Sequence, residues 1–346
     1  MGSAARRCGA KVAAHARGGA WVWEGAAPWR RCSPTRVTRW GCGVGGPELA
    51  AAIRADAGER DLPSGARFAD TLRPTSVFPR RSRARRWWWS QVPTHGLREV
   101  LRATWRPVIP LAFLDGERDQ GDRAEHAAVQ NEITASEVAW SEKTFVALLG
   151  PSRKEVAAGQ PTVVVAASRD LALAEEVQRA FWTDDRFRVY LSEDVVGVEL
   201  GGALKNVVAI AAGASDGLGF GHNARAALIT RGLSEMARLA MKMGGDALTL
   251  AGLAGMGDLV LTCTGELSRN RYVGFELGKG RTLSEVLGEM RQVAEGVRTA
   301  RSARELAQRE GVSMPITEMV FQVLYHDKPL REAVHELMVR EARMEL

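Results

Sequence analysis

Residues 162–192 read TVVVAASRDLALAEEVQRAFWTDDRFRVYLS, and this stretch decides the fold class. Two apolar runs of strand length, residues 162–168 and 187–192, flank residues 169–181, whose apolar positions have helical spacing. A further apolar run, KTFVALLG, stands before them at residues 143–150. Near-continuous apolar strands that alternate with helices predict a parallel sheet covered on both faces.

Beyond this sheet the pattern is helical to the end of the chain. Breaks are predicted at glycine-rich turns near residues 213–221, 255–257 and 278–280, and at Pro315. The sequence therefore predicts an α/β domain over residues 1–194 and an all-α domain over residues 195–346.

The first hundred residues differ in composition from the rest. They hold 18 lysines and arginines against 7 acidic residues, a net charge of +11, whereas the whole chain carries +6. Nine of the ten tryptophans lie at or before Trp140. Helical patterns are confined there to residues 47–56 and 94–104, and the stretches between have no period.

Residues 83–90, RARRWWWS, combine arginines with three consecutive tryptophans. Arginines neutralise phosphates and indoles stack on bases, so a nucleic-acid-binding module is one alternative for this region. No recognisable binding motif organises these charges, which favours an interpretation without a nucleic-acid partner.

The cysteines and apolar runs narrow the class of protein further. Cys8, Cys32, Cys42 and Cys263 form neither a CxxC pair nor a metal-ligand spacing, so we expect no disulfide framework and no metal site in a cytoplasmic protein. No apolar run approaches the roughly 20 residues of a membrane span, and the N-terminus lacks the apolar stretch of a secretory signal.

One glycine motif could bind a dinucleotide. Gly41, Gly43 and Gly46 in GCGVGG satisfy GxGxxG, which can bring backbone amides to a pyrophosphate at a helix N-terminus. The preceding residues, RVTRW, make a poor buried strand, so a glycine-rich coincidence is the favoured interpretation.

Lys205 lies in VELGGALKNVVAIAAGASDGLG (198–219), a helix that is otherwise small and apolar. Such an environment disfavours the ammonium and lowers a lysine pKa, so Lys205 could exchange a proton with a substrate alcohol. Equally, its aliphatic stem could carry the charge out to water.

Two further motifs have both a functional and a structural interpretation. In GMGDLVLTCTGELSRNR (255–271), Ser268, Arg269 and Asn270 would suit a phosphate monoester, or Ser268 could simply cap a solvated helix. In QVAEGVRTA (292–300), Glu295 could contact the polar groups of a cofactor, or a helix could simply begin there.

Together with GVELGGALKNVVAIAAG and NARAALITRGLSEM, these motifs resemble the bacterial NAD(P)-dependent glycerol-3-phosphate dehydrogenases, almost without gaps over residues 138–346. The resemblance implies a doubly wound, Rossmann-like cofactor domain and a helical substrate domain. It implies reduction of dihydroxyacetone phosphate to sn-glycerol 3-phosphate with NAD or NADP as cofactor, supply of phospholipid synthesis, and a homodimer. Another two-domain hydroxyacid dehydrogenase is the alternative enzyme.

The resemblance also implies residue roles. Lys205 would exchange the proton with the C2 oxygen of the substrate. The residues GPS (150–152) resemble a substrate-contacting loop, one residue shorter than in the family. The implied substrate contacts are Gly150, Ser152, Lys205, Asn206, Asp258, Thr262, Ser268, Arg269 and Asn270. The implied cofactor contacts are Arg269, Val293 and Glu295.

The first 137 residues are partly out of register with this family, since its GxGxWG loop and Thr-Lys-Gly are missing. Tryptophan has one codon, so residues 87–90 with a TCN serine codon are encoded by TGGTGGTGGTCN. One base earlier, this reads Val, Leu or Met followed by three valines, a buried strand. Shifted frames likewise recover a helix and strand over residues 28–44 and Thr-Lys-Gly within residues 116–128. A frame-shifted cofactor domain, and an inactive chain, are the prediction.

Overall fold

The computed structural model describes residues 145–150, 160–182, 187–290 and 294–339, together with five short strands in the preceding part of the chain. The described residues form two compact units. One contains those up to Val195, and the other those from Val196 onward. The helices predicted at residues 47–56 and 94–104 lie outside the described residues.

The first unit contains one eight-stranded sheet, in the order β3-β2-β1-β4-β5-β6-β7-β8. The first five positions reproduce the strand order of a doubly wound dinucleotide-binding fold. The strands are β1 (Trp21–Glu24), β2 (Trp40–Gly43), β3 (Leu72–Thr75), β4 (Trp88–Gln91), β5 (Pro110–Ala112), β6 (Val146–Leu149), β7 (Thr162–Ala167) and β8 (Phe187–Ser192).

The predicted α/β class with a doubly wound sheet is confirmed, but the sheet is mixed and not fully parallel. β2 and β3, β4 and β5, β5 and β6, and β7 and β8 pair in parallel. β6 and β7 are antiparallel, and the connection between them, residues 150–161, is at the lower limit for a parallel crossover. β1 runs antiparallel to both neighbours. It precedes the first family-like segment of the sequence, at residue 47.

The strand, helix and strand predicted over residues 162–192 are confirmed as β7, α1 (Leu171–Phe181) and β8. The helix begins at Leu171 because Asp170 is its N-cap, with Oδ1 accepting from the backbone N–H of Ala172 at 3.1 Å. Its apolar face packs on the sheet in a buried cluster of Val146, Leu148, Val164, Ala166, Val177, Phe181 and Val189.

The described part of the second unit is helical, as predicted. A π-helical turn, Leu253–Gly257, leads directly into the helix that begins at Asp258. The helices are α2 (Val195–Gly217), α3 (His222–Lys242), α4 (Ala247–Ala251), α5 (Asp258–Thr264), α6 (Arg269–Gly278), α7 (Leu283–Glu289), α8 (Glu295–Glu310), α9 (Pro315–Tyr325) and α10 (Leu330–Met338).

The long helix α2 forms the centre of this unit. Among the described residues it alone has the length and apolar composition of a membrane-spanning helix. However, 78% of its apolar window is buried inside the structure, as in the core helix of a globular domain. One face packs with α3, α4, α5 and α8, and the other with α6, α7, α8 and α9.

Glycines allow α2 and α6 to pack backbone against backbone. A Cβ on Gly213 would lie 2.0 Å from the carbonyl oxygen of Arg271, and one on Gly274 would lie 1.9 Å from that of Ile210. Gly217 and Gly278, four residues further along each helix, are equally crowded by the opposite backbone. Gly213 therefore lies inside a helix, and the predicted turn begins only after residue 217.

A buried carboxylate joins α3 to α9. Glu235 accepts hydrogen bonds from the backbone N–H groups of Ile316 and Thr317, at 2.7 and 3.2 Å, and from the Thr317 hydroxyl at 3.2 Å. Burial nevertheless raises the pKa of Glu235 to about 7, because desolvation outweighs these bonds.

Pro315 is the first residue of α9, so the helix begins where the sequence predicted a break.

Candidate active site

The centre of the candidate site is an ion pair between α2 and α5. Nζ of Lys205 donates to Oδ2 of Asp258. The Asp258 side chain is 2% exposed and that of Lys205 is 16% exposed, so the pair is shielded but reachable from solvent. Thr262, one turn further along α5, donates its hydroxyl hydrogen to the backbone carbonyl of Asp258 at 2.6 Å.

The π-helical turn determines where Asp258 lies. It leads without a break into α5 and places the carboxylate at the first residue of that helix. The turn requires a glycine at Gly255, since a Cβ there would lie 2.0 Å from the carbonyl oxygen of Leu250. The apolar sequence around Lys205 did not reveal this counter-ion, which lies 53 residues further along the chain.

The start of α6 carries the predicted phosphate ligands. Ser268 is the N-cap, and its hydroxyl accepts from the backbone N–H of Arg271 at 3.2 Å, so the structural interpretation of this residue is confirmed. Arg269 lies beside the first residue of α8, with Nη2 3.7 Å from Oε1 of Glu295. The structure thus brings together two residues predicted to contact the cofactor. α8 also begins at Glu295, as the alternative interpretation predicted.

Asn206 and Asn270 meet in the interior, each with 7% of its surface exposed. Nδ2 of Asn270 donates to Oδ1 of Asn206 at 2.9 Å. Oδ1 of Asn270 accepts from the backbone N–H of Gly296 at 2.8 Å. These bonds connect α2, α6 and α8, the three helices that carry Lys205, Arg269 and Glu295.

A second ionic group near this site was not anticipated as a unit. Asp216, near the end of α2, accepts from Nε and Nη2 of Arg271 at 3.1 and 2.7 Å, and from Nη1 of Arg225 at 2.9 Å. The second arginine of the SRNR motif is therefore paired with Asp216. The acid in the ASDG segment was the only sequence signal for its partner.

Other predicted residues lie elsewhere or outside the described chain. Gly150 belongs to the first unit and follows β6 with a φ of +151°, and a Cβ there would lie 2.8 Å from the carbonyl oxygen of Val163. Ser152 and Val293 lie outside the described residues. Gly41 and Gly43 are inside strand β2, so they do not form a turn after a strand, and Gly46 is not described.

The described residues contain no group of three metal-ligating side chains. Cys263, on α5, is a buried free thiol, and burial raises its pKa to about 12. It is therefore a packing residue rather than a nucleophile.

The strand order of the first unit and the helical second unit with its shielded lysine–aspartate pair have the fold of the two-domain dehydrogenase class. Residues 194–335 match the family model described as NAD-dependent glycerol-3-phosphate dehydrogenase C-terminus. A glycerol-3-phosphate dehydrogenase [NAD(P)+] of Pelodictyon phaeoclathratiforme is 44% identical, covering 86% of this chain and 90% of its own. The chain belongs to the NAD(P)-dependent glycerol-3-phosphate dehydrogenase family.

Two further comparisons give the extent of the similarity. The crystal structure of glycerol-3-phosphate dehydrogenase from Coxiella burnetii is 34% identical, with a TM-score of 0.73, covering 86% of this chain and 90% of that one. The corresponding enzyme of Geobacter metallireducens is 67% identical, but over only 58% of this chain. In that match the chain spans about three fifths of the relative's length, 60%.

Proposed function

We propose that the helical unit binds dihydroxyacetone phosphate and sn-glycerol 3-phosphate, and that Lys205 exchanges the proton with the C2 oxygen. The observation that carries this proposal is the shielded pair of Lys205 and Asp258. The ammonium can donate a proton to the oxygen as the carbonyl is reduced and receive it back in the reverse reaction. Asp258 holds Nζ in one place and supplies the negative charge that a lysine in an apolar helix requires.

The phosphate group of the substrate would bind at the start of α6. Arg269 offers paired donors to phosphate oxygens, and the helix N-terminus favours an anion. Ser268, Asn270 and Thr262 are the further polar side chains that we assign to this pocket. Substrate contacts by Gly150 and Ser152 stay a prediction from the sequence.

NAD or NADP supplies the hydride in this family. In the second unit Arg269 and Glu295 would contact the cofactor, together with Val293. The described part of the first unit does not fit the cofactor, because β1 runs opposite to its neighbours and Gly41 and Gly43 are inside a strand. We therefore derive no hydride step for this chain and propose that it has little or no turnover.

We propose that small insertions or deletions have put parts of residues 1–137 out of frame. The position of β4 supports this, because Trp88–Gln91 forms a strand parallel to β5 where the shifted codons spell a valine-rich strand. The similarity to the Pelodictyon enzyme also covers 86% of the chain, more than residues 138–346 alone. Dehydrogenase similarity in this region gives no support to a nucleic-acid-binding module.

The nucleotide sequence of codons 1–140 tests the frame hypothesis directly. We expect the nucleotide sequence to change frame on either side of the tryptophan run. A resequenced gene that encodes residues 1–137 in one frame, as given, would refute the frame hypothesis. The proposed activity is tested with the frame-restored chain. We expect oxidation of NADPH that depends on dihydroxyacetone phosphate, and its absence would refute the assignment.

The wider role follows from this reaction. We propose that the chain is a cytoplasmic homodimer and that, once its reading frame is restored, the glycerol phosphate it forms is used for phospholipid synthesis. Sedimentation of the purified chain tests the dimer, for which a species of twice 37.6 kDa is expected.

A further inference from the structure

Three buried polar groups form a chain of hydrogen bonds next to the candidate site. We call the side chains of Asn206 and Asn270 and the backbone N–H of Gly296 the amide relay. Each member directly follows a residue with a proposed role in the chemistry: Lys205, Arg269 and Glu295. The amide relay therefore connects the backbones that position the proton donor, the phosphate ligand and the cofactor contact.

The amide relay has a fixed polarity. A backbone N–H can only donate, so the Asn270 atom facing Gly296 must be the oxygen. Nδ2 of Asn270 then points to Asn206, which must present its oxygen. Nδ2 of Asn206 is left facing the carbonyl oxygen of Gly202 at 3.5 Å, which is consistent with the same order.

This order leaves Asn270 with one kind of group to offer a ligand. Its oxygen accepts from Gly296, and one Nδ2 hydrogen is bonded to Asn206. Within the described residues Asn206 is the one acceptor recorded for that nitrogen, so its second hydrogen has no recorded acceptor there. A reversed amide would instead present a carbonyl oxygen to an anion, which is repulsive in a shielded site.

We propose that Asn206 and Gly296 are positioning residues that hold the Asn270 amide with its nitrogen toward the substrate phosphate. This inference rests on the proposed function. In this proposal Asn206 acts through Asn270, in place of the direct substrate contact that the family resemblance implies.

Crowding at Gly296 makes the amide relay sensitive to a single methyl group. A Cβ at this position would lie 2.5 Å from the carbonyl oxygen of Asn206 and 2.9 Å from Oδ1 of Asn270. Gly296→Ala should therefore displace Asn270 although every amide of the relay remains. Gly288→Ala is the matched control, because Gly288 is also helical and has open space at its Cβ position.

The first test measures the affinity of the full 346-residue chain for glycerol 3-phosphate by titration calorimetry. Asn206→Ala and Gly296→Ala should each weaken binding by about tenfold, the effect of losing one hydrogen bond to a charged group. Gly288→Ala should bind as the unchanged chain does. Unchanged binding by a folded Asn206→Ala variant would overturn the positioning role. Failure of the unchanged chain to bind would overturn the proposed function itself.

The second test separates positioning from a general effect on folding. In a double-mutant cycle, Asn206→Ala should add no further loss to Asn270→Ala, because Asn206 acts only through that amide. Selective ¹⁵N labelling of asparagine should show a ligand-induced shift of the Asn270 side-chain amide that disappears in Asn206→Ala. Additive losses, or an Asn270 signal that responds to the ligand without Asn206, would overturn the inference.

Discussion

Lys205 and Asp258 show how much of a site depends on one contact between distant residues. The sequence identified a lysine in an apolar helix but left open whether it was buried or exposed. Lys205 is partly buried: its ammonium pairs with the buried carboxylate of Asp258 and is still accessible to solvent. A lysine and its counter-ion that are 53 residues apart have no spacing signal, so only the folded chain or a family resemblance can join them.

Lys205→Met in the frame-restored chain should lower kcat for dihydroxyacetone phosphate by roughly 10²–10⁴-fold, the usual contribution of a positioned proton donor. The measurement is steady-state oxidation of NADPH. Circular dichroism serves as the control for folding, because Asp258 would be left without its main partner. Turnover within about threefold of the parent would remove Lys205 from proton transfer.

The raised pKa of Glu235 should make the free energy of unfolding depend on pH. Its folded pKa of about 7 lies above the ordinary value of 4.5, so the folded state binds this proton more tightly than the unfolded state. The stabilisation is complete below pH 4.5 and is lost as the pH rises to about 7, by roughly 3 kcal/mol.

Glu235→Gln should reduce this loss, since an amide does not ionise. Urea unfolding of both chains between pH 4.5 and 8 measures how the free energy of unfolding changes with pH. The other carboxylates affect the two chains equally, so they cancel when the two pH profiles are compared. Parallel pH profiles for the two chains would contradict the assignment of a raised pKa to Glu235.

At the scale of elements, the strand–helix–strand unit and the helical character of the described part of the second unit follow from the hydrophobic period. The exceptions are instructive. The glycine pattern predicts a turn at Gly213, yet this residue lies within α2, where the backbone of α6 leaves no room for a side chain. The π-helical turn before Asp258 has no sequence pattern of its own, since its glycines equally predict a simple loop.

Gly274→Ala should destabilise the chain strongly, because its methyl group would overlap the carbonyl of Ile210 on the opposite helix. We expect a loss of about 3 kcal/mol in the free energy of unfolding. Gly288→Ala, where the Cβ position is open, should change it by less than about 1 kcal/mol. Equal denaturation midpoints for the two variants would show that the helices can separate at little cost.

The Asp216 group should also contribute to the packing of helix ends. Asp216→Ala leaves Arg225 and Arg271, each about four-fifths buried, without their shared carboxylate. We expect a loss of about 2 kcal/mol. Glu175→Ala breaks an exposed pair with Arg179 on α1 and should cost under about 1 kcal/mol. Thermal unfolding compares the two, and a larger effect at Glu175 would be contrary to this account.

At the scale of the whole molecule, the two units differ in how far the sequence predicts them. The helical unit is predicted in class and in some of its helix boundaries. The doubly wound sheet is predicted in class, but not in the antiparallel pairing of β6 with β7 or in the direction of β1, whose residues 21–24 lie before any family-like segment. A hydrophobic pattern does not specify the direction of a strand, and residues 21–24 have no family resemblance that would specify it.

Restoring the reading frame should convert an inactive chain into a dehydrogenase. The reversed β1 places the end of that strand at the edge of the sheet opposite to the ends of β2 and β4. Positioning of the reacting groups accounts for a large share of a bimolecular rate, so we expect turnover to rise by at least about 10³-fold on restoration. Parallel assays of NADPH oxidation measure this. Comparable rates for both chains would mean that residues 1–137 are adequate as they stand.

The crossing of α2 and α6 also bears on the history of the gene. A gene that no longer yields an active product is free to accumulate substitutions, and most single-base changes in a glycine codon introduce a side chain. Gly213, Gly217, Gly274 and Gly278 are nevertheless all intact at positions where a side chain cannot fit. The helical half therefore keeps the glycines that its packing requires, which is the pattern expected of a recent loss of frame upstream.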